Sequence, residues 1–276
     1  MGAGTVQEHD ARRYVARDGG HVNSRSGFAS GSGVDSGSGS GSGFSGVGDA
    51  RLPVIAVTGM AFEARIARGP GVESVFAARS DLLERAISEA LARGCSGIIS
   101  FGTAGGLSPE LEPGTVIIAS SVSGPFGVLD TDPEWSARLF AAFVGTPLEA
   151  KAVRGKMAGV AAPLTGEQQK SSLYRATGAL AVDMESHIAG AIATARGLPF
   201  AVCRAIVDPA WRSLPSAATA GLRDDGTTTI LPILRELLKE PSQLGALLKV
   251  AGDARAARTS LVQARHAMGV AGALGV

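Results

Sequence analysis

Residues 181–187 read AVDMESH: two carboxylates and a histidine between an apolar run, Ala179–Val182, and a small-residue segment, Met184–Arg196, that Gly197 can stop. An apolar run of strand length followed by a helical segment is the repeating step of an α/β fold. Acids at a helix start favour the helix dipole, so this stretch alone could be an ordinary charged first turn. Its neighbourhood argues for more. The next apolar run, Pro199–Val207 (PFAVCRAIV), carries a lone Arg204 and ends at Asp208-Pro209. Two earlier runs end in Gly59-Met60-Ala61-Phe62-Glu63 and in Phe101-Gly102-Thr103-Ala104-Gly105-Gly106. Ligands of open α/β sheets bind where strands end, and four such ends mark one site.

The rest of the chain supplies the frame. Leu52–Thr58 (LPVIAVT) suits a strand buried on both faces, and Met60–Ile66 a loop or short helix. Ser80–Arg93 carries Leu82, Leu83, Ala86, Ala90 and Leu91 at helical spacing, with Ser80 as N-cap and Gly94 as stop. Strand Gly97–Phe101 then completes a βαβ unit. The segment GTAGGL after it reads as a turn whose glycines at 102, 105 and 106 let backbone approach a ligand. No helix clearly follows, so it is no dinucleotide fingerprint, and a GxxxxGK[ST] phosphate loop is absent. Strands are expected at Thr115–Ser121 and Lys156–Pro163, the latter leading into a loop at Gly159–Thr165. Between them Asp132 caps a helix with Pro133 at its first position and Trp135, Leu139 and Phe143 facing the core. Pro209–Thr229 is long enough for a lid or binding loop. From Ile230 the chain reads as helix, broken at Pro241. Leu244, Leu247, Leu248 and Ala251 form an apolar stripe there, with Lys249, Arg255, Arg258 and Arg265 adding positive charge. That pattern fits a domain cover or dimer contact, or peripheral contact with a membrane surface.

These readings imply a single α/β domain at 49–240, its central sheet mixed but mostly parallel and flanked by helices. A basic amphipathic helical extension would follow at 241–276. Gly and Ser alternate strictly from Ser36 to Gly43, so residues 1–48 are expected to be a disordered arm. With 26 basic and 25 acidic residues, and aromatics at 5%, no nucleic-acid surface is encoded. No stretch of 18 apolar residues offers a membrane span. Met1–Asp18 lacks the apolar centre of a signal peptide, which points to the cytoplasm. Cys95 and Cys203 fit small core residues rather than a disulfide or metal pair.

Glu63, Thr103, Glu185 and Asp208 form a set that could cleave an N-glycosidic bond. The transition state is oxocarbenium-like and positively charged, so carboxylates stabilise it. One protonated acid must donate to the leaving base, a second must activate water if water attacks, and a carboxylate can grip the sugar hydroxyls.

GMAFEA at 59–64, FGTAGGL at 101–107, VDMES at 182–186 and RAIVD at 204–208 resemble, in order and spacing, the nucleoside phosphorylase and nucleosidase superfamily. The resemblance covers Leu52–Pro209. It implies that Asp208 protonates the purine and that Glu185 holds the ribose hydroxyls. Met184 would pack under the sugar, and Thr103, with Gly102, would lie near the ribose or a phosphate. Arg204 would orient the acids, and Glu63 would activate water. Beyond Pro209 the chain is similar to the hopanoid-associated phosphorylases, which implies adenosylhopane as substrate and adenine as product, with Trp211, Leu214 and Leu222 lining a greasy exit. His187 fits that subgroup too. The resemblance also implies a homo-oligomer, no metal and no organic cofactor, with inorganic phosphate as co-substrate only if the reaction is phosphorolytic. Water is favoured as nucleophile: Ser100-Phe101 stand where phosphorolytic members carry an arginine, and Glu63 would repel phosphate, although Arg65 is near. The alternatives are a methylthioadenosine or S-adenosylhomocysteine nucleosidase, a purine nucleoside phosphorylase and, more distantly, a non-catalytic nucleoside-binding scaffold.

Overall fold

Strand β1 (Val54–Thr58) is buried at all five positions. Its alternation divides the core in two: Ile55 and Val57 face Leu83, Ile87 and Ile188, while Val54 and Ala56 face Phe101, Trp135, Leu139 and Leu261. A computed structural model describes residues 52–275 apart from 222 and 228; the arm at 1–48 and Leu222 lie outside the described residues. After β1 come helix α1 (Ala61–Ala67), β2 (Val72–Phe76), α2 (Ser80–Leu91), β3 (Gly97–Gly106), β4 (Val116–Gly124), β5 (Gly127–Asp130) and α3 (Pro133–Ala141). The chain continues through β6 (Ala152–Gly159), α4 (Glu167–Thr177), β7 (Ala181–Asp183), α5 (Ser186–Ala195) and β8 (Phe200–Asp208). It ends in α6 (Ser216–Ala220), α7 (Ile230–Lys239) and α8 (Leu244–Val270).

The sheet is mixed and mostly parallel, as expected. β2, β1, β3 and β8 pair in parallel, as do β4 with β6 and β6 with β7. The pairs β4 with β5, β4 with β8 and β3 with β7 are antiparallel. The ladder β3–β8–β4–β6–β7 thus returns to β3 and closes on itself, leaving β2 and β5 at the outer ends. Helices α2 and α5 cover one face, and α3 and α8 the other.

Several expectations hold at residue level. Asp132 caps α3 by accepting from the Trp135 N–H at 2.7 Å, and Trp135, Leu139 and Phe143 are buried. Cys203 is buried, Cys95 is half-buried, and both are free. One does not: Arg79, not Ser80, occupies the N-cap position of α2, and its side chain makes no capping hydrogen bond.

Two expectations need correction. GTAGGL is not a turn: residues 102–106 continue β3, held by β8 on one side and by β7 at Gly105 and Gly106 on the other. Glycine suits this double pairing because neighbours come too close for a side chain. A Cβ on Gly106 would lie 3.1 Å from Pro209 Cα. The register slips so that Ala104 faces Ile206 and Gly105 faces Asp208, which makes Val207 the extra residue of a bulge.

Nor does 241–276 stand apart as an extension. Ala257, Leu261, Ala264 and Met268 are fully buried in the core with Trp135 and β8. Trp135 Nε1 donates to the Ala273 carbonyl at 3.0 Å. Arg265 donates to the Ala67 carbonyl at 2.8 Å at the end of α1, so it is spent within the fold. Only the first turns of α8 match the expected stripe, with Leu244 and Leu248 exposed.

The two halves of α8 should therefore respond differently to truncation. Leu261→Ala is expected to cost about 2–5 kcal/mol and Leu248→Ala less than about 0.5 kcal/mol. Urea unfolding of each variant measures this, and equal small effects would mean that α8 is not part of the core.

Candidate active site

Arg204, on β8, is fully buried, so its charge must be met by neighbours. β3 lies beside it in register, Gly102 opposite Arg204. Gly102 has φ +155°, and a Cβ there would sit 2.7 Å from both Arg204 Nη1 and Glu63 Oε2. Glycine at this point is what lets the guanidinium and the carboxylate occupy the same space.

Three carboxylates surround the guanidinium. Asp183 Oδ2 lies 2.8 Å from Nε, although the N–H is not aimed at it, so this contact is charge pairing rather than a hydrogen bond. Glu185 Oε2 lies 3.1 Å from Nη2. Glu63 approaches from α1, across Gly102. Nη2 also donates to Ser100 Oγ at 2.6 Å, and Nη1 to the Thr103 carbonyl at 3.2 Å. Burial opposes the Arg204 charge, but Asp183, Glu185 and Glu63 outweigh it and raise its pKa. Asp183, the last residue of β7, also holds the first residue of α5, accepting from the Ser186 N–H at 3.0 Å and from the Ser186 hydroxyl.

Glu63 sits at the third position of α1 and is buried. The Gly59 and Met60 N–H groups each donate to its Oε2 at 3.1 Å, closing the helix start. Thr103 donates to Oε1 through its N–H at 2.8 Å and its hydroxyl at 2.7 Å. Glu63 thereby joins α1 to β3. Arg65, two residues on, is exposed to solvent on another side of α1.

Glu185 lies where β7 passes into α5, against Gly59, where a Cβ would overlap its carboxylate. Burial raises its pKa; Arg204 opposes the rise while Asp183 and Glu63 add to it, and the result is about 7. Met184 beside it is half-buried.

Asp208 ends β8 next to Gly105 and forms a second cluster. Its Oδ2 is 2.7 Å from the ammonium of Lys170, a fully buried residue of α4. Burial raises the Asp208 pKa, Lys170 opposes the rise, and Asp253 adds to it. Sequence reasoning missed α4 and with it Lys170: in the polar segment EQQKSSLYRAT a lone lysine reads as solvated.

His187 stacks on Phe126 with ring centroids 5.8 Å apart and lies over Gly159, where no Cβ would fit. Burial lowers its pKa, and the nearby Asp183 opposes the fall. The loop after Asp208 folds over this end of the sheet, Leu214 N–H donating to the Thr165 carbonyl at 2.9 Å. Its later part reaches α1, where Ala61 N–H donates to the Gly226 carbonyl at 3.0 Å. Trp211 in that loop is 40% exposed. Among the described residues, no three His, Cys, Asp or Glu side chains are grouped to hold a metal ion. The structure thus gathers Glu63, Gly102, Thr103, Glu185 and Arg204 into one network and sets Asp208 at the end of the same strand.

Residues 51–224 match the family described as the Phosphorylase superfamily. Among solved structures, the 5'-methylthioadenosine/S-adenosylhomocysteine nucleosidase of Neisseria meningitidis, in complex with methylthio-immucillin-A, superposes with a TM-score of 0.59. That match has 14% identity over 80% of this chain and 99% of that one. Futalosine hydrolase of Helicobacter pylori strain 26695 gives a TM-score of 0.52 and 16% identity over 68% of this chain and 98% of that one. No curated protein sequence matches the chain.

Glu185 makes the stability of the fold depend on pH. Its pKa rises on folding from 4.5 to about 7, so the folded state holds a proton that the unfolded chain has released between those values. The stabilisation is present below 4.5 and lost as pH rises through about 7. Relative to Glu185→Gln, the wild type should lose stability across that window. Urea midpoints at pH 5 and pH 8 measure the difference, and parallel profiles would refute the shift.

Proposed function

Given that the chain belongs to the Phosphorylase superfamily, whose nucleosidase and phosphorylase members break N-glycosidic bonds, we propose that it releases the base of a purine nucleoside by hydrolysis. The observation that carries this reading is the carboxylate network around one neutralised arginine. Glu63, Asp183 and Glu185 face Arg204, leaving the site rich in negative charge. Such a site favours an oxocarbenium-like sugar and disfavours a phosphate nucleophile. Arg65, which could have offset this, points to solvent.

In this mechanism Glu185 accepts hydrogen bonds from the ribose hydroxyls and Met184 packs under the sugar. Asp208 delivers a proton to the purine as the glycosidic bond breaks. Glu63 takes a proton from water. Its carboxylate already accepts four hydrogen bonds, three from backbone N–H groups that cannot turn away. The fourth comes from the Thr103 hydroxyl, which can rotate to admit the water. Nothing in these steps calls on a metal or organic cofactor.

For the substrate, the reading is a lipid-linked adenine nucleoside, adenosylhopane. Support comes from the sequence resemblance beyond Pro209 and from Trp211, partly exposed three residues after Asp208. A methylthioadenosine-type substrate is the competing reading, favoured by the likeness in fold to the Neisseria nucleosidase. The same proposal includes self-association and peripheral membrane contact. Leu231, Leu238, Leu244 and Leu248 are exposed, with Lys239 and Lys249 exposed among them. Leu244→Glu with Leu248→Glu should abolish flotation with anionic liposomes; undiminished flotation would remove the helix from that role.

Adenine release from adenosylhopane in detergent, with methylthioadenosine and adenosine as controls, tests the chemistry. Asp208→Asn and Glu63→Gln should each lower kcat by about 10²–10⁴. Retained activity in Glu63→Gln would overturn the hydrolytic reading, and turnover of methylthioadenosine alone would overturn the lipid substrate.

A further inference from the structure

Lys170 has no part in the mechanism so far, yet it is fully buried, and a lysine is rarely buried unless paired. Its Nζ stands 2.7 Å from Asp208 Oδ2. It also lies 3.2 Å from the Asp208 carbonyl, 3.0 Å from that of Pro209 and 2.9 Å from that of Arg212. One ammonium with three N–H donors thus serves four oxygens, all from the end of β8 and the loop leaving it. Other charges face the same place: Asp253 of α8, itself paired at 2.7 Å with Arg212 of that loop.

We propose that Lys170 is the positioning residue for the acid of the reaction, selecting the Asp208 oxygen that carries the transferable proton. The inference rests on the reading of Asp208 as that acid. An ammonium donates and cannot accept, so a proton on Oδ2 would confront the Lys170 N–H groups. The proton of a neutral Asp208 therefore sits on Oδ1, the oxygen left for the ligand. As the glycosidic bond breaks, that proton moves from Oδ1 to a nitrogen of the leaving base, and Asp208 becomes a carboxylate. Lys170 keeps its own protons and stabilises this carboxylate through Oδ2, so it favours the direction of transfer. The bonds to the three carbonyls hold the loop and the acid in one geometry.

The cost is that the same ammonium also promotes early loss of the Asp208 proton as pH rises. Removing the charge should let Asp208 keep its proton to higher pH while weakening its transfer. In Lys170→Met the alkaline limb of kcat/KM is expected to move up by at least about one pH unit. Its kcat at the optimum should fall by about tenfold to a hundredfold. Lys170→Gln keeps a donor for the carbonyls without the charge and should show the same displaced limb, which covers the case in which the methionine variant does not fold. In an Asp208→Asn background, loss of Lys170 should change the residual rate by less than about threefold. An unmoved alkaline limb, with a rate loss equal at every pH and Asp208→Asn inactive, would overturn this inference and leave the acid assignment standing. Full turnover by Asp208→Asn would overturn the acid assignment and the inference with it.

Discussion

A guanidinium with no access to water is the constraint on which the site depends. Arg204 comes from β8, between β3 and β4, where solvent cannot reach it. An unpaired charge there would cost several kcal/mol, so its surroundings are prescribed. β3 must offer glycine at 102 to leave room and a hydroxyl at Ser100 to accept. The crossing from β7 to α5 must bring Asp183 and Glu185, and α1 must start so that Glu63 arrives from the other side. Two of these acids also do a local task. Asp183 and Glu63 each accept from a backbone N–H at a helix start, so the same side chains that neutralise the arginine fix the first turns of α5 and α1.

The second cluster is tied to the first through one strand. Asp208 follows Arg204 by four residues on β8, and the bulge at Val207 sets its carboxyl beside Gly105. Arg204 is balanced by an excess of carboxylate, whereas Asp208 is balanced by a single lysine. Under the proposed function these different surroundings suit different tasks: Glu185 and Glu63 as acceptors around a sugar, Asp208, with Lys170 on one of its oxygens, as proton donor to a base. That division requires charge, burial and register together, since any one alone would leave a buried acid without purpose.

Most of the network was visible in the sequence because acids and an arginine interrupted apolar runs at strand ends. VDMES and RAIVD carry charges where a core strand has none to spare, and that contrast survives without a structure. The sequence was less informative where tertiary contacts override local preference. GTAGGL has the composition of a turn, yet pairing on both sides makes it strand. The strand VESVF and helix EQQKSSLYRAT lack a clear apolar period, so β2 and α4 went unread, and Lys170 with them. In α8 the arginines suggested a surface helix, but Arg265 is engaged with the end of α1 and the helix's second half fills the core. A charge pattern tells what a helix face could do, and only packing tells what it does.

The most direct test of the hydrolytic claim is the fate of oxygen at the anomeric carbon. A single turnover is run in ¹⁸O-labelled water containing unlabelled inorganic phosphate and quenched before the anomeric oxygen exchanges with solvent, and the sugar product is weighed by mass spectrometry. Attack by water activated at Glu63 predicts one ¹⁸O atom at the anomeric position from the first turnover and no sugar phosphate. A ribosyl 1-phosphate carrying no label would contradict the account and return Glu63 to its structural role at the head of α1.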